Sequence, residues 1–121
     1  MLNMITTPQE YLDSLIGAEK EWLNEFLMYM KESHPEQSIT MFRQRPMYKK
    51  EKSYLKGYLM FTTAKNHFAV HTLYFDIIEE MKAILPDAEF GKGCVKVKYK
   101  DIDKKAALKE MCNKVIARFT A

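Results

Sequence analysis

The sequence contains few cysteines, which cross-link small proteins, and few prolines and glycines, which interrupt helices and strands. Among its 121 residues are two cysteines, four prolines, four glycines and one tryptophan. Cys94 and Cys112 form neither a CxxC pair nor a zinc-ligand spacing with the three histidines, which argues against a disulfide framework and a structural zinc site. We therefore expect both cysteines to be free thiols in a reducing cytoplasm.

Long hydrophobic runs are also missing. No apolar run approaches the roughly 18 residues that a membrane-spanning helix needs, and Met1–Thr7 lacks the basic start and apolar core of a secretory signal. The composition, 47% hydrophobic and 29% charged, is that of an ordinary globular protein. The sequence therefore predicts one cytoplasmic domain over residues 1–121 that does not associate with a membrane.

Catalytic signatures are missing as well. There is no GxSxG, Walker or GxGxxG pattern, and Gly91-Lys92-Gly93 predicts a hairpin turn because it is too short to cradle a phosphate. Nucleophilic catalysis needs a nucleophile, a general base and a group that orients the base. The sequence places no such set together, so we predict a protein that is not an enzyme. An enzyme would need a carboxylate and a pocket beside His71.

Charge is unevenly distributed, although the net charge is only +3. Residues 1–36 carry seven acidic and two basic side chains, whereas residues 37–75 carry seven basic and one acidic. This asymmetry indicates surfaces of opposite sign and says little about the fold.

The first third of the sequence has the apolar spacing of helices. Thr7-Pro8 is a typical helix start, and the residues that follow predict a short helix at 8–16 and a longer one at about 18–33. In one continuous helix Glu19 would lie in the centre of the apolar stripe, where an unpaired carboxylate is costly to bury. We therefore expect a break near Gly17.

The middle of the sequence predicts a β-hairpin. Residues 37–53 are expected to form a basic connector that holds a short turn or strand at 39–42, with Pro46 kept out of any sheet centre. Aromatic and β-branched residues then predict strands at 54–63 and 67–72.

The expected register of this hairpin separates two faces. With Lys65-Asn66 as the loop, Phe61 lies opposite Val70 and Met60 lies opposite His71. One face is then apolar and belongs to the core: Leu59, Phe61, Phe68 and Val70. The other face is semi-polar: Tyr58, Met60, Thr62, His67, Ala69 and His71.

The last third predicts a helix, a strand pair and a final helix. The helix spans about 74–85, the strand spans 94–100 with Val and Lys alternating, and Asp103 is expected to cap the last helix. The apolar stripe of that helix is Leu108, Met111, Cys112, Val115, Ile116 and Phe119. The whole order predicts an α+β fold, in which an antiparallel sheet is packed on one face by helices.

Two surfaces are candidates for binding. Glu21, Glu25 and Glu32 share one face of the long helix, beside Asn24; carboxylate oxygens suit hard cations such as Fe²⁺, although a solvated polar face is common on any amphipathic helix. The alternative is the semi-polar sheet face, with Tyr58, Met60, His67 and His71, as a site for a protein or small ligand without a metal.

A metal ion shared by two histidines, a phosphate group and nucleic acid are less consistent with the sequence as ligands. His67 and His71 would have β-carbons about 13 Å apart along the strand, too far to share one metal ion. Lys96, Lys98 and Lys100 fit a solvent-facing strand surface that discourages edge pairing. No RNA-recognition motif or helix-turn-helix accompanies the basic segment, so nucleic acid is not expected as a partner.

The pieces together resemble the YdhG-like family of the YjbR/CyaY-like superfamily, whose fold is related to frataxin. The resemblance is carried in order by Tyr11-Leu12, Pro35, Pro46-Met47-Tyr48, the hairpin turn Lys65-Asn66-His67-Phe68-Ala69-Val70, and Gly91-Lys92-Gly93-Cys94-Val95-Lys96-Val97. It implies a frataxin-like α-β sandwich without a tightly bound cofactor. It also implies an iron chaperone that holds Fe²⁺ weakly on Glu21, Glu25 and Glu32 and delivers it to iron–sulfur or haem assembly proteins.

Overall fold

A computed structural model describes residues 7–43, 45–51 and 54–119 of the chain. The helices are α1 (Pro8–Asp13), α2 (Gly17–Ser33), α3 (Phe75–Ile84) and α4 (Lys105–Phe119). The strands are β1 (Ile39–Phe42), β2 (Arg45–Lys49), β3 (Tyr58–Thr63), β4 (His67–Thr72), β5 (Glu89–Gly91) and β6 (Cys94–Lys98). Short 3₁₀ turns lie at Tyr54–Lys56 and Ile102–Lys104.

The six strands form one antiparallel sheet in the order β1-β2-β3-β4-β6-β5. The first four strands follow each other as a meander, and α3 then carries the chain to the β5–β6 hairpin. That hairpin returns so that β6 pairs with β4. The predicted α+β class is therefore confirmed.

The predicted register of the central hairpin is also confirmed. Phe61 pairs with Val70 and Met60 pairs with His71. The predicted core-facing residues are completely buried: Leu59, Phe61, Phe68 and Val70. Strand β3, the first strand of this hairpin, is shorter than the predicted 54–63, because the chain forms a 3₁₀ turn at Tyr54–Lys56 before β3 begins.

The segment predicted as a connector contains a second hairpin. The short strand proposed at 39–42 is β1, but β2 was missed, and residues 52–53 at the end of the connector lie outside the described residues. Pro46 is the second residue of β2 and pairs with Met41 in β1. The ladder between β2 and β3 begins one residue later, at Met47. The prediction that Pro46 stays out of a sheet centre was therefore wrong, since β2 has a neighbour on each side. Its missing N–H faces β3 just before that ladder begins, so no bond to β1 is lost.

The predicted break between the first two helices is confirmed. The Thr7 hydroxyl accepts a hydrogen bond from the Glu10 backbone N–H and caps α1, which ends at Asp13, three residues earlier than predicted. Helix α2 begins at Gly17, whose φ is +59°, a conformation that favours glycine. Glu19 is half-buried in the first turn of α2.

The last helix has the predicted core stripe, and all six of its residues are buried: Leu108, Met111, Cys112, Val115, Ile116 and Phe119. The prediction that Asp103 caps it was wrong. The 3₁₀ turn Ile102–Lys104 contains Asp103, and α4 follows from Lys105. The carboxylate is therefore already within helical backbone before the α-helix begins.

All four helices contribute to one hydrophobic core on a single face of the sheet. Helix α2 lies over β3 and β4, α4 lies over β3, and α3 contacts α4 and β6. Aromatic rings form the centre of this layer: the Phe26 centroid is 4.7 Å from that of Phe68 and 5.6 Å from that of Phe61. The opposite face of the sheet is not covered by any helix of the described chain.

Gly57 should tolerate substitution poorly. It is buried, its φ is +130°, and an added Cβ would lie 2.8 Å from Cζ of Tyr74 and closer still to the tyrosine hydroxyl. We expect Gly57→Ala to lower the free energy of unfolding by about 3 kcal/mol, from backbone strain and steric overlap together. Urea unfolding followed by circular dichroism measures this.

Gly17→Ala is the matched control. Its φ is also positive, but an added Cβ would meet nothing within 4 Å, so only the backbone cost of about 1 kcal/mol should appear. Equal losses for the two variants would contradict the steric role of Tyr74.

Candidate functional site

The acidic face of α2 is present and borders a shallow groove. Glu21, Glu25 and Glu32 line this groove, which has a volume of about 460 Å³, together with Asn24. Glu21 and Glu32 are exposed, whereas Glu25 is half-buried. The three predicted carboxylates therefore do share one surface.

Glu25 is already paired on both of its oxygens. Its Oε1 lies 2.7 Å from Nζ of Lys105, and its Oε2 lies 2.8 Å from Nζ of Lys109. Partial burial acts to raise the pKa of Glu25, but hydrogen bonds and charge from the two lysines outweigh it and lower the pKa. An arriving cation would have to displace two ammonium groups from this carboxylate.

The two lysines are held in place by aromatic rings as well. Nζ of Lys105 lies 4.7 Å from the ring centroid of Trp22, and Nζ of Lys109 lies 5.4 Å from that of Tyr29. Ammonium groups over aromatic faces gain cation–π attraction in addition to the ion pair. Sequence reasoning missed this arrangement because Lys105 is 80 positions from Glu25.

A closed metal cage is not found in the part of the chain that the structure describes. Within residues 7–43, 45–51 and 54–119, no group of three or more His, Cys, Asp or Glu side chains converges on a point where an ion could sit. His67 and His71 pair with different residues of β6, Lys98 and Cys94 respectively, and so remain apart as predicted.

The second predicted surface is the uncovered face of the sheet, which we call the open face. A row of paired residues crosses its centre: Met47, Met60, His71 and Cys94. Met60, His71 and Cys94 are half-buried, whereas Met47 is almost completely buried by its neighbours. Cys112 lies in the core on the other side of the sheet, so the sheet separates the two thiols.

Tyr58 lies at one corner of the open face. Together with Met60 it lines a depression of about 460 Å³. Phe42, Arg43 and Arg45 from the β1–β2 hairpin also line it. The depression therefore combines aromatic surface with cationic groups.

His71 occupies the centre of the open face. Its Nε2 lies 2.8 Å from the hydroxyl of Thr62, and burial, with the nearby charge of Lys96, lowers the pKa of the imidazole. No carboxylate is hydrogen-bonded to His71 in the described structure.

The open face is basic. Lys96 and Lys98 alternate with the buried Val95 and Val97 on β6, as predicted, and so point away from the core. Lys49 lies on the same face, opposite Tyr58. The strands of this face contribute one acidic residue, Glu89, which pairs with Lys96. Among the strand residues of this face, cations therefore outnumber carboxylates.

A further cavity, of about 540 Å³, lies at the end of the sheet near the β3–β4 turn. Its lining mixes charges of both signs, with Lys96, Lys98, Lys100 and Lys104 against Asp87, Glu89 and Asp101. Lys104 and Asp101 are already paired, at 3.4 Å. Lys96 and Lys98 therefore have carboxylates near them at this end of the open face.

No helix among the described residues is both long and apolar enough to span a bilayer. The sequence matches no protein-family model. A search of curated proteins also gives no match.

A solved structure does share the fold. The 1.75 Å crystal structure of a DUF1801-family protein, YdhG from Bacillus subtilis, superposes with a TM-score of 0.70 at 17% sequence identity. The match covers 85% of this chain and 82% of that one. The predicted YdhG-like α+β architecture is thus shown at the level of fold, and the frataxin-like iron function stays a prediction.

The lowered pKa of His71 yields a measurable prediction. We expect its Cε1–H resonance to titrate below the usual histidine pKa of about 6.5, and Lys96→Gln to raise the pKa because a nearby positive charge is removed. An NMR pH titration measures both. Lys82→Gln, on α3, is the control and should leave the His71 titration unchanged.

The lowered pKa of His71 also makes the free energy of unfolding depend on pH. Because the unfolded chain binds this proton more readily than the folded one, the free energy of unfolding should fall as pH drops below about 6.5 towards the folded-state pKa. His71→Gln should lose that part of the pH dependence. A His71 pKa above the usual value would contradict the burial argument.

Proposed function

We propose that this chain is a cytoplasmic, non-enzymatic binding module that docks the acidic surface of a partner protein on its open sheet face. The observation that carries the proposal is the charge of that face, on which Lys49 lies opposite half-buried Tyr58 on one side of Met60, and Lys96 and Lys98 lie on β6 on the other side. A cationic rim around apolar and aromatic side chains is complementary to an acidic, partly apolar protein surface.

The placement of His71 supports the same proposal. Its ring is held by Thr62 at the centre of the face, beside Met60 in the ladder. Its lowered pKa keeps the imidazole neutral near pH 7, so the centre of the face stays uncharged while its surroundings are cationic. Protein interfaces commonly have this arrangement of an uncharged centre and a charged rim.

Charge reversal on β6 tests the proposal. Acidic proteins retained on an anion exchanger from the native cell extract are passed over the immobilised chain, and a captured protein is then purified and titrated. Binding should weaken with salt and fall at least about tenfold for Lys96→Glu with Lys98→Glu, because two attractions become repulsions. Lys20→Glu with Lys82→Glu carries the same charge change on the helices and should bind as wild type.

NMR shift mapping with the purified partner locates the contact. We expect the largest changes at Tyr58, Met60, His67 and His71. Changes confined to the helix layer would refute the proposal. Tighter binding of a ten-nucleotide single-stranded RNA than of any acidic protein would refute it too, in favour of nucleic acid.

Iron delivery is a second proposal, in which Fe²⁺ is the cargo and iron–sulfur or haem assembly proteins receive it. Its support is the groove on α2, where Glu21, Glu25 and Glu32 stand together with Asn24. Exposed carboxylates of this kind bind hard cations weakly. The ion pairs of Glu25 with α4 weigh against it, since they compete directly with the metal.

Anaerobic calorimetric titration with Fe²⁺ tests this second proposal. We expect the wild type to bind Fe²⁺ with a Kd below about 1 mM. The double variant Glu21→Ala with Glu25→Ala should lose this binding, whereas Glu79→Ala with Glu80→Ala on α3 should keep it. Lys105→Met with Lys109→Met should strengthen binding, because it releases Glu25. Absence of binding in both the wild type and the lysine variant would end the iron hypothesis.

A further inference from the structure

Strand β1 forms one edge of the sheet, since β2 is its neighbour on one side and the sheet order ends there. The pairing pattern shows which of its backbone groups point outward. The Lys50 N–H donates to the Gly57 carbonyl, so these two residues form a hydrogen-bonded pair. Pairs of this kind alternate along an antiparallel ladder, so Tyr48 bonds to β3 and points its backbone groups away from β1.

The same alternation determines the direction in which the backbone N–H and C=O groups of β1 point. Ile39 lies opposite Tyr48, and Met41 lies opposite Pro46. Because Tyr48 and Pro46 direct their backbone groups towards β3, Ile39 and Met41 direct theirs the other way, out of the sheet. The N–H and C=O groups of these two residues therefore offer donors and acceptors to another extended strand.

The β1 edge is unusual for an edge strand because none of its four side chains is charged. Strand β1 has the sequence Ile-Thr-Met-Phe, with Ile39 36% exposed. Edge strands are commonly protected by lysine, proline or bulges. The other edge of the sheet, β5, is only three residues long and begins with Glu89, so β1 is the edge suited to pairing.

An apolar groove runs beside this edge on the helix side of the sheet. Its volume is about 470 Å³, and it lies between α1, α2 and β1. Leu12, Leu27, Met28 and Ile39 are among its lining residues, and Tyr48 forms part of it from β2. Met28 is 44% exposed at the groove.

Strand and groove fit together as parts of one site. In a strand added to β1, every second side chain would point to the helix side, towards the groove. Lys31 is the only charged side chain among the described residues that line it. An acidic residue of a bound segment would therefore meet a cation and no carboxylate there.

We propose that the β1 edge and this groove bind an extended peptide segment of a partner protein by strand addition. The segment carries apolar side chains at alternate positions and an acidic residue that faces Lys31. Main-chain hydrogen bonds to Ile39 and Met41 supply affinity, and the groove selects the sequence. The site is separate from the open face, which lies on the other side of the sheet.

A second copy of this chain fits the site less well. Pairing of two four-residue strands would cover little of the roughly 800 Å² per partner found in stable interfaces. Of the two side chains that β1 presents to the helix side, Met41 is already packed against its own core. A second copy would therefore bring only Ile39 to the groove.

Selection from a phage-displayed library of random octapeptides on the immobilised full chain tests the proposal. We expect an enriched consensus with apolar residues at i and i+2 and an acidic residue. Selection on Lys31→Glu should replace the acidic residue by a basic one. Apolar residues at helical spacing, or no enrichment over a blank surface, would overturn strand addition.

Two variants then test the selected peptide by fluorescence anisotropy. Ile39→Pro removes an outward donor at the first residue of a strand, where proline is tolerated, and should weaken binding at least about fivefold; Ile39→Val keeps the donor and should bind as wild type. Met28→Glu puts a carboxylate in the groove and should weaken binding about tenfold or more. Ile84→Glu, at an isoleucine 49% exposed on α3, should have no effect.

Circular dichroism melts establish which variants fold. If Ile39→Pro unfolds, the peptide-binding test rests on Met28→Glu, which changes an exposed helix position. Unchanged affinity in Met28→Glu would refute the site. Sedimentation equilibrium decides about self-association: a dimer of the wild type that Ile39→Pro converts to a monomer would show a second copy at this edge and overturn the proposal.

Discussion

The contact of Phe26 with the β3–β4 hairpin is the interaction on which the other features depend. Its ring is fully buried and packs against Phe61 and Phe68, one from each strand. Aromatic groups contribute large buried areas and prefer particular relative orientations, so this contact fixes both the position and the rotation of α2. Helix α4 then packs over β3 beside it, and the helix layer closes on one face.

Two surfaces with different electrostatics follow from that one-sided packing. On the helix side, the rotation of α2 directs Glu25 to α4, where Lys105 and Lys109 neutralise it and cover the rings of Trp22 and Tyr29. On the other side, Lys96 and Lys98 of β6 point away from the core. The acidic excess of the early sequence is thus partly compensated by lysines of α4, whereas the strands of the open face carry more basic than acidic residues.

Periodicity predicted the elements whose burial depends on local pattern. The stripe of α4 and the register of the β3–β4 hairpin belong here, because each buried residue is set by neighbours three, four or two positions away. Strand β2 was not predictable in this way, since Pro46 opposed a strand assignment and its acceptability depends on where the ladder to β3 begins. The pairing of Glu25 with Lys105 was equally inaccessible, because a three-dimensional contact across 80 positions leaves no local signal.

The strand order has a consequence for synthesis on the ribosome. Strand β4 is completed at Thr72, but the strand that pairs with its other side begins only at Cys94. Chains are synthesised from the N-terminus at about 5–20 residues per second, so β4 is complete about 1–4 seconds before β6 begins, and its edge has no partner strand during that interval. Nascent chains of intermediate length therefore carry an aggregation risk that the finished protein, with β6 in place, does not.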